Sequence, residues 1–220
     1  MTIALRKHIE KDFGGESILL RGDGSIHIPE HHALLVADLH LGKDASFRAA
    51  GVPVPVGVNQ GILKSLGDTV NDTQAEKLFI LGDMIHDRAS LTESLTQEFQ
   101  RWQCSFPNLE ATLVLGNHDR RAHKFPRQWR LQVLPSEQIG DITLLHETEE
   151  ANEGHQIGGH IHPATLAGKG ADAMRLKCFV VDERTITLPA FGPFKGGMLV
   201  PRKPNRRLYP TCDGKIWKSE

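Results

Sequence analysis

Four short runs of nearly unbroken apolar residues punctuate the chain: ALLVADLH from Ala33, KLFILGD from Lys77, ATLVLGN from Ala111 and ITLLHE from Ile142. Strands buried on both faces read this way, because neither side of the pleat has to meet water. Between the first three lie two stretches with a helical period. Over 57–70, Val58, Ile62, Leu66 and Val70 recur every fourth residue and form one apolar stripe. The second stretch is predicted to open at Ser90, with Glu93 at capping-box spacing, and sets Leu91, Leu95, Phe99 and Trp102 on one face. Upstream, ILLRGDGSIHI places two apolar segments around Gly22-Asp23-Gly24, a β-hairpin signal. Downstream, MRLKCFVVDERTITLPAF reads as strand, turn at Asp182-Glu183-Arg184, and strand.

Strand, helix, strand, helix, strand implies parallel pairing through right-handed crossovers, whereas the second half reads as antiparallel. The expected fold is therefore a mixed α/β sandwich, two sheets with helices outside them, formed by residues 1–220 as a single domain. The last twenty residues, PRKPNRRLYPTCDGKIWKSE, read as a basic tail.

Composition narrows the function classes. With 39% hydrophobic and 24% charged residues the chain is ordinary for a globular protein. A formal net charge of -1 excludes a dedicated nucleic-acid coat, so any binding of a polyanion has to be local. The three cysteines, Cys104, Cys178 and Cys212, are far apart and lack CxxC spacing, which argues against a disulfide framework or a zinc ribbon. No stretch approaches the ~18 apolar residues of a membrane span, so a soluble cytoplasmic protein is expected, with no membrane partner.

Each apolar run ends in residues that bind metals or protons. The first ends with Asp38 and His40, the second with Asp83, the third with Asn117, His118 and Asp119, and the fourth with His146; GGHIHP adds His160 and His162. Any one of these has a structural explanation, since an Asp after a strand commonly caps a helix or forms a turn. Together they form a pattern, because the carboxyl ends of parallel strands face a common crevice. Asp38 and His40 are two residues apart, as are His160 and His162, a spacing that on extended backbone points both side chains the same way. Glycines at 82, 116, 158 and 159 permit close backbone approach beside them. Oxygen and imidazole donors without thiolate suit Mn²⁺, Fe, Zn²⁺ or Co²⁺. Seven donors exceed what one ion takes, and two ions about 3.5–4 Å apart sharing a carboxylate fit better.

DLH (38–40), GDMIHDR (82–88), GNHD (116–119), the His146 run and GHIH (159–162) resemble, in order, the motifs of calcineurin-like metallophosphoesterases, over about 36–165. The resemblance implies a four-layer α/β/β/α sandwich. It also implies two divalent ions, Mn²⁺ foremost with Zn²⁺ or Fe as alternatives. Asp38, His40 and His162 would hold one ion, Asn117, His146 and His160 the other, and Asp83 would bridge them. Water activated by the ions would attack phosphorus in line, while His118, oriented by Asp119, would give a proton to the leaving oxygen. One departure is visible: many members carry a second Asp where this chain has His86, which leaves the partner of His118 open and favours diester substrates. LLVADLHLGKDASFRAAGVPVP, LGDMIHDR, LPAFG and the Gly-Gly at 196–197 resemble, within the family, bacterial phosphoesterases associated with a DNA ligase and a helicase. That closer resemblance implies a DNA damage response endonuclease with repair-machinery partners.

The stretch RRAHKFPRQWR, 120–130, sets Arg120, Arg121, Lys124, Arg127 and Arg130 around Trp129 just past the GNHD turn. Such a loop could hold a nucleic-acid backbone and stack a base, or be a solvated face with Trp129 in the core. Arg88 and Arg48 could hold phosphate or form surface ion pairs, and RKPNRR, 202–207, could add phosphate contacts or solubility. The expected function is a dimetal phosphodiesterase acting on DNA or another phosphodiester. A nucleotide-directed phosphodiesterase or phosphatase is the alternative. A silent scaffold of the same fold would show lost ligands, and none is lost here.

Overall fold

The computed structural model describes residues 5–49, 51–53, 57–122, 125–149, 153–168, 170–193 and 197–219. The first sheet has seven strands in sequence order: β1 (His8–Phe13), β2 (Glu16–Arg21), β3 (Ile26–Ile28), β4 (Ala33–Val36), β5 (Lys77–Leu81), β6 (Glu110–Val114) and β7 (Gln132–Leu134). The predicted hairpin is β2–β3, with Leu20 opposite Ile26. β4 to β7 pair in parallel, as the strand–helix alternation requires. β1 escapes the apolar-run signal because it is a half-exposed strand whose outward positions are His8, Glu10 and Asp12.

Four α-helices are described: α1 (Lys43–Ala49), α2 (Val58–Thr73), α3 (Glu93–Cys104) and α4 (Asn117–Ala122). Ile62, Leu66 and Val70 bury the predicted stripe of α2. α3 begins later than its sequence predicts. Its cap is Thr92, whose hydroxyl accepts from the Leu95 amide at 3.2 Å. Ser90 cannot serve, because Asp87 takes both its amide and its hydroxyl and holds it in a 3-10 turn over Arg88–Ser90. Among the described residues no helix is long and apolar enough to cross a membrane.

The second sheet contains β8 (Glu137–Ile139), β9 (Ile142–Leu144), β10 (His155–Gly158), β11 (Pro163–Ala167), β12 (Met174–Val181), β13 (Thr185–Thr187), β14 (Met198–Leu199), β15 (Arg207–Cys212) and β16 (Lys215–Ile216). β12 and β13 form the predicted antiparallel pair across the Asp182–Arg184 turn. The half is mixed rather than purely antiparallel, since β10 runs parallel to both β9 and β13. The expected basic tail is instead ordered: Leu208, Tyr209 and Ile216 are buried, and Ile216 exchanges both backbone bonds with Arg6. Three apolar residues spread among charges gave no run to read.

Side-chain alternation along β4 explains the unbroken apolar runs. Leu35 and Ala37 face the second sheet, meeting Phe79, Leu81, Leu144, Ile157, Phe179 and Ile186. Leu34 and Val36 face the helices, meeting Ile62, Leu66, Leu95 and Phe99. Each such side chain, fully buried, contributes roughly 1.5–3 kcal/mol. The two mixed sheets and the helices outside the first are as expected. The fourth layer differs: all described α-helices precede residue 123, and the outer face of the second sheet packs Cys178, Val180 and Leu208 against Val200. Among the described residues its connections carry only a 3-10 turn, at Gly170–Asp172.

Candidate metal centre

The carboxyl ends of β4, β5 and β6 meet the ends of β9 and β10 where the two sheets come together. Asp38 and His40 follow β4, Asp83 follows β5, Asn117 and His118 open α4 after β6, His146 follows β9, and His160 and His162 lie between β10 and β11. The two i, i+2 pairs are not on extended backbone. Asp38, His40, Asp83, His160 and His162 have φ of 55°, 45°, 48°, 73° and 46°, five of the eight non-glycine residues with left-handed φ among those described. Each such residue costs on the order of 1 kcal/mol, and clusters of this strain belong to functional sites.

Backbone bonds hold the strained turns. The amide of Asp38 donates to Gly82 O at 3.1 Å, that of His40 to Asp83 O at 2.9 Å, and that of Gly159 to His146 O at 2.7 Å. The amide of His160 donates to Asp38 Oδ2 at 3.0 Å, which ties the two sheets at a ligand. Gly82 lies directly under the His146 ring, and Gly159 packs on Ala37 and Asp38, so a Cβ at either would occupy space the ligands fill.

The seven candidate ligands form two groups, beside a third cluster in which His40 meets His86 and His118. In one, His40 Nε2 is 3.0 Å from His162 Nε2, and His162 Nε2 is 3.5 Å from Asp38 Oδ1. In the other, His146 Nε2 lies 3.5 Å from Asp83 Oδ1, 3.1 Å from Asn117 Oδ1 and 3.0 Å from His160 Nδ1. Asp83 reaches toward both, its Oδ2 being 4.0 Å from His40 Nε2. His160 and His162 therefore sit in different groups, as the resemblance implies.

The residues present suit divalent ions. An ion with bonds of about 2.1 Å spaces adjacent ligands roughly 3.0–3.4 Å apart. The imidazole pairs have that spacing, and Asp38 Oδ1 is buried with no hydrogen-bond partner, a cost that a cation would remove. Burial above all, and then His162, drives the His40 imidazole down to about 2, leaving it in the neutral form that ligates.

His118 borders this centre without belonging to either group. Its Nε2 faces Asp83 Oδ2 at 3.9 Å, and its Nδ1 is bonded to the carbonyl oxygen of His86. That carbonyl is the partner the sequence left open. Asp119 does not orient His118. Its carboxylate accepts from the amides of Gly116 at 3.0 Å and Ile85 at 3.2 Å, bracing the turns after β5 and β6, and burial pushes it up to about 6. Asp119 finds no free Nδ1 on His118, because Nδ1 already donates to the carbonyl of His86.

Of two further side chains near the centre, His86 stood out in the sequence and Glu147 did not. The His86 ring stacks on His118 with centroids 5.3 Å apart, and Glu147 Oε1 lies 3.7 Å from His160 Nε2. Glu147 follows His146 directly, the one signal that could have marked it.

Of the candidate substrate contacts, Arg88 is exposed on the 3-10 turn after Asp87, and Arg120 and Arg121 are exposed on α4, two and three residues past His118. Trp129 is buried, donates to Thr96 O and packs on Phe99, so it stacks no base. Arg130 is a brace, donating to the carbonyls of Gln103, Phe106 and Pro107 at the end of α3. Arg48 pairs with Asp44, Arg206 pairs with Asp182, and Lys124 is outside the described residues.

The family model for the calcineurin-like phosphoesterase domain matches residues 31–150. That span holds five of the seven ligand candidates and stops short of His160 and His162, which the GHIH motif and the geometry add. No curated protein matches the chain. Among solved structures it is similar to the Pseudomonas putida nuclease MPE, at 31% identity and a TM-score of 0.84, covering 96% of this chain and 100% of that one.

Proposed function

The chain belongs to the calcineurin-like phosphoesterase family and is a metal-dependent phosphoesterase, and from that premise we propose that it cuts phosphodiester bonds inside DNA. The observation that carries the choice of substrate is the full-length likeness to a nuclease. Asp38, His40 and His162 would hold one ion, Asn117, His146 and His160 the second, with Asp83 between them. Bound there, two divalent ions supply water activation near neutral pH and charge neutralisation at the phosphoryl oxygens. Manganese suits the hard and borderline donors, with Zn²⁺ or Fe as alternatives.

The chain's own groups do the rest. His118, held through Nδ1 by the His86 carbonyl, turns Nε2 toward the centre and delivers a proton to the leaving oxygen. Asp119 fixes the turns that carry Asp83 and Asn117. Arg88, Arg120 and Arg121 take flanking phosphates. By sequence resemblance, a DNA ligase and a helicase are the partners, in the cytoplasm.

The test is the Mn²⁺-loaded protein on circular single-stranded DNA, plasmid, bis-p-nitrophenyl phosphate and the matching monoester, with Asp83→Ala as contamination control. Cleavage of the circles by wild type but not by Asp83→Ala is expected. A second reading, a nucleotide-directed phosphodiesterase, has one observation behind it: a groove of about 530 Å³ reaches Gly159, and Arg184, Lys203 and Arg206 line it beside Glu147, Glu149, Asp182 and Glu183. Hydrolysis of the small diester with intact DNA would decide for it.

A further inference from the structure

Three rings run outward from the centre on the side of the proton donor. His118 stacks on His86, with planes 22° apart, and His86 meets Phe47 of α1 edge-on at 6.3 Å between centroids. All three are half-buried, so each keeps an accessible part. Lys43, one helical turn before Phe47, places its ammonium 5.7 Å from the centroid of the Phe47 ring, and its charge reaches His86 and His40. Trp102 and Trp129 lie in the core, and Phe47 is the ring that stands against His86 on the side of His118.

We propose that Phe47 and Lys43 form a subsite for the nucleotide on the leaving side of the scissile phosphate. The inference rests on the nuclease reading. His118 delivers its proton to the leaving oxygen, so the departing nucleoside must lie on the side of His118, and His86 and Phe47 are what extends from there. The base packs against the exposed part of the Phe47 ring, and the Lys43 ammonium takes the next phosphate. Stacking of this kind tolerates any base, so the subsite sets position along a strand rather than sequence.

Binding and turnover test it separately. A trinucleotide carrying 2-aminopurine, titrated into metal-free protein, reports stacking by quenching. Quenching is expected with wild type and Phe47→Trp and is expected to be lost with Phe47→Leu, which keeps the apolar packing of α1; unchanged melting of the variants shows that the fold is intact. In turnover, Phe47→Leu is expected to raise KM for thymidylyl-thymidine about 5- to 100-fold. The dinucleotide that is abasic on the leaving side should keep its wild-type KM in that variant. Lys43→Gln is expected to lower the slope of log affinity against log salt by about 1. Equal KM changes for both dinucleotides, or quenching that survives in Phe47→Leu, would overturn the subsite. Failure of wild type to cut any DNA would instead sink the nuclease reading, and the binding arm, which needs no turnover, would still decide the subsite.

Discussion

His118 owes its orientation to a backbone atom. Its Nδ1 is bonded to the carbonyl of His86, and that carbonyl survives substitution of the side chain of its own residue. His86→Ala is therefore expected to lower kcat by less than about tenfold, whereas His118→Ala should lose 10²- to 10⁴-fold on diesters with alkyl leaving groups and far less with p-nitrophenyl ones. Metal content measured on the His118→Ala protein should equal that of wild type, because His118 belongs to neither of the two groups around Asp83, whereas a loss of metal would assign an ion to the His40, His86 and His118 cluster. If His118→Ala turned over an alkyl-leaving diester at the wild-type rate, the proton-donor assignment would be wrong. A side chain at 86 can be read from sequence, but a carbonyl carries no letter, so the partner of His118 was invisible there. The same limit hid the work of Asp119, whose role depends on which two amides the folded turns present to it.

Residues 188–192, the Leu-Pro-Ala-Phe-Gly segment to which no chemistry attaches in the sequence, join the ends of two strands. The Phe191 amide donates to Ala37 O at 2.9 Å and the Leu188 amide to Gly158 O at 2.7 Å, each next to a ligand turn. Lys177 of β12 clamps the segment, donating to Ala190 O at 2.7 Å and Gly192 O at 2.5 Å, and burial lowers its ammonium to about 8. Lys177→Met is expected to cost about 1.5–3 kcal/mol of stability for each charged hydrogen bond lost, and to weaken metal binding as the Ala37 and Gly158 backbones loosen. The sign of the pH effect follows from the lowered value. Between about 8 and the ordinary 10.5 the unfolded chain binds the proton more fully than the folded one, so folding stability rises with pH across that window. Melting of wild type relative to Lys177→Met, followed from pH 7 to pH 10, should shift in favour of wild type; a flat difference would contradict it. Elements as long as α2 and β4 to β6 were legible because burial on a fixed period writes itself into the sequence. α1 and α4, seven and six residues long, complete too few turns to show one, β1 is a half-exposed strand in which charges break the alternation, β15 is a buried strand with a proline inside it, and β16 has two residues.

At the scale of the whole molecule the charge is divided rather than absent. The groove beside His160 mixes Glu147, Glu149, Asp182 and Glu183 with Arg184, Lys203 and Arg206, while α4 and the segment after it present Arg120, Arg121 and Arg127 to solvent with no carboxylate among the described residues paired to them. A polyanion would therefore approach over α4, and Arg120→Ala with Arg121→Ala should lower the salt slope of DNA binding by about 2, with little effect on turnover of a small diester. The seven candidate ligands are divided too: Asp38, His40, Asp83 and Asn117 come from the first sheet, and His146, His160 and His162 from the second. An ion that binds only when both sheets are in place favours the folded state by RT ln(1 + [L]/Kd), about 2.7 kcal/mol per site at a hundredfold excess over Kd. For a chain of 220 residues that corresponds to a rise in Tm of roughly 5–10 °C per site. Mn²⁺ should therefore raise the melting temperature of chelator-treated protein in two stages of differing affinity. Asp83→Ala, which lies between the groups, should blunt both stages, whereas His162→Ala should remove one and leave the other. A single stage in wild type, or equal loss of both in His162→Ala, would mean that His160 and His162 serve the same ion.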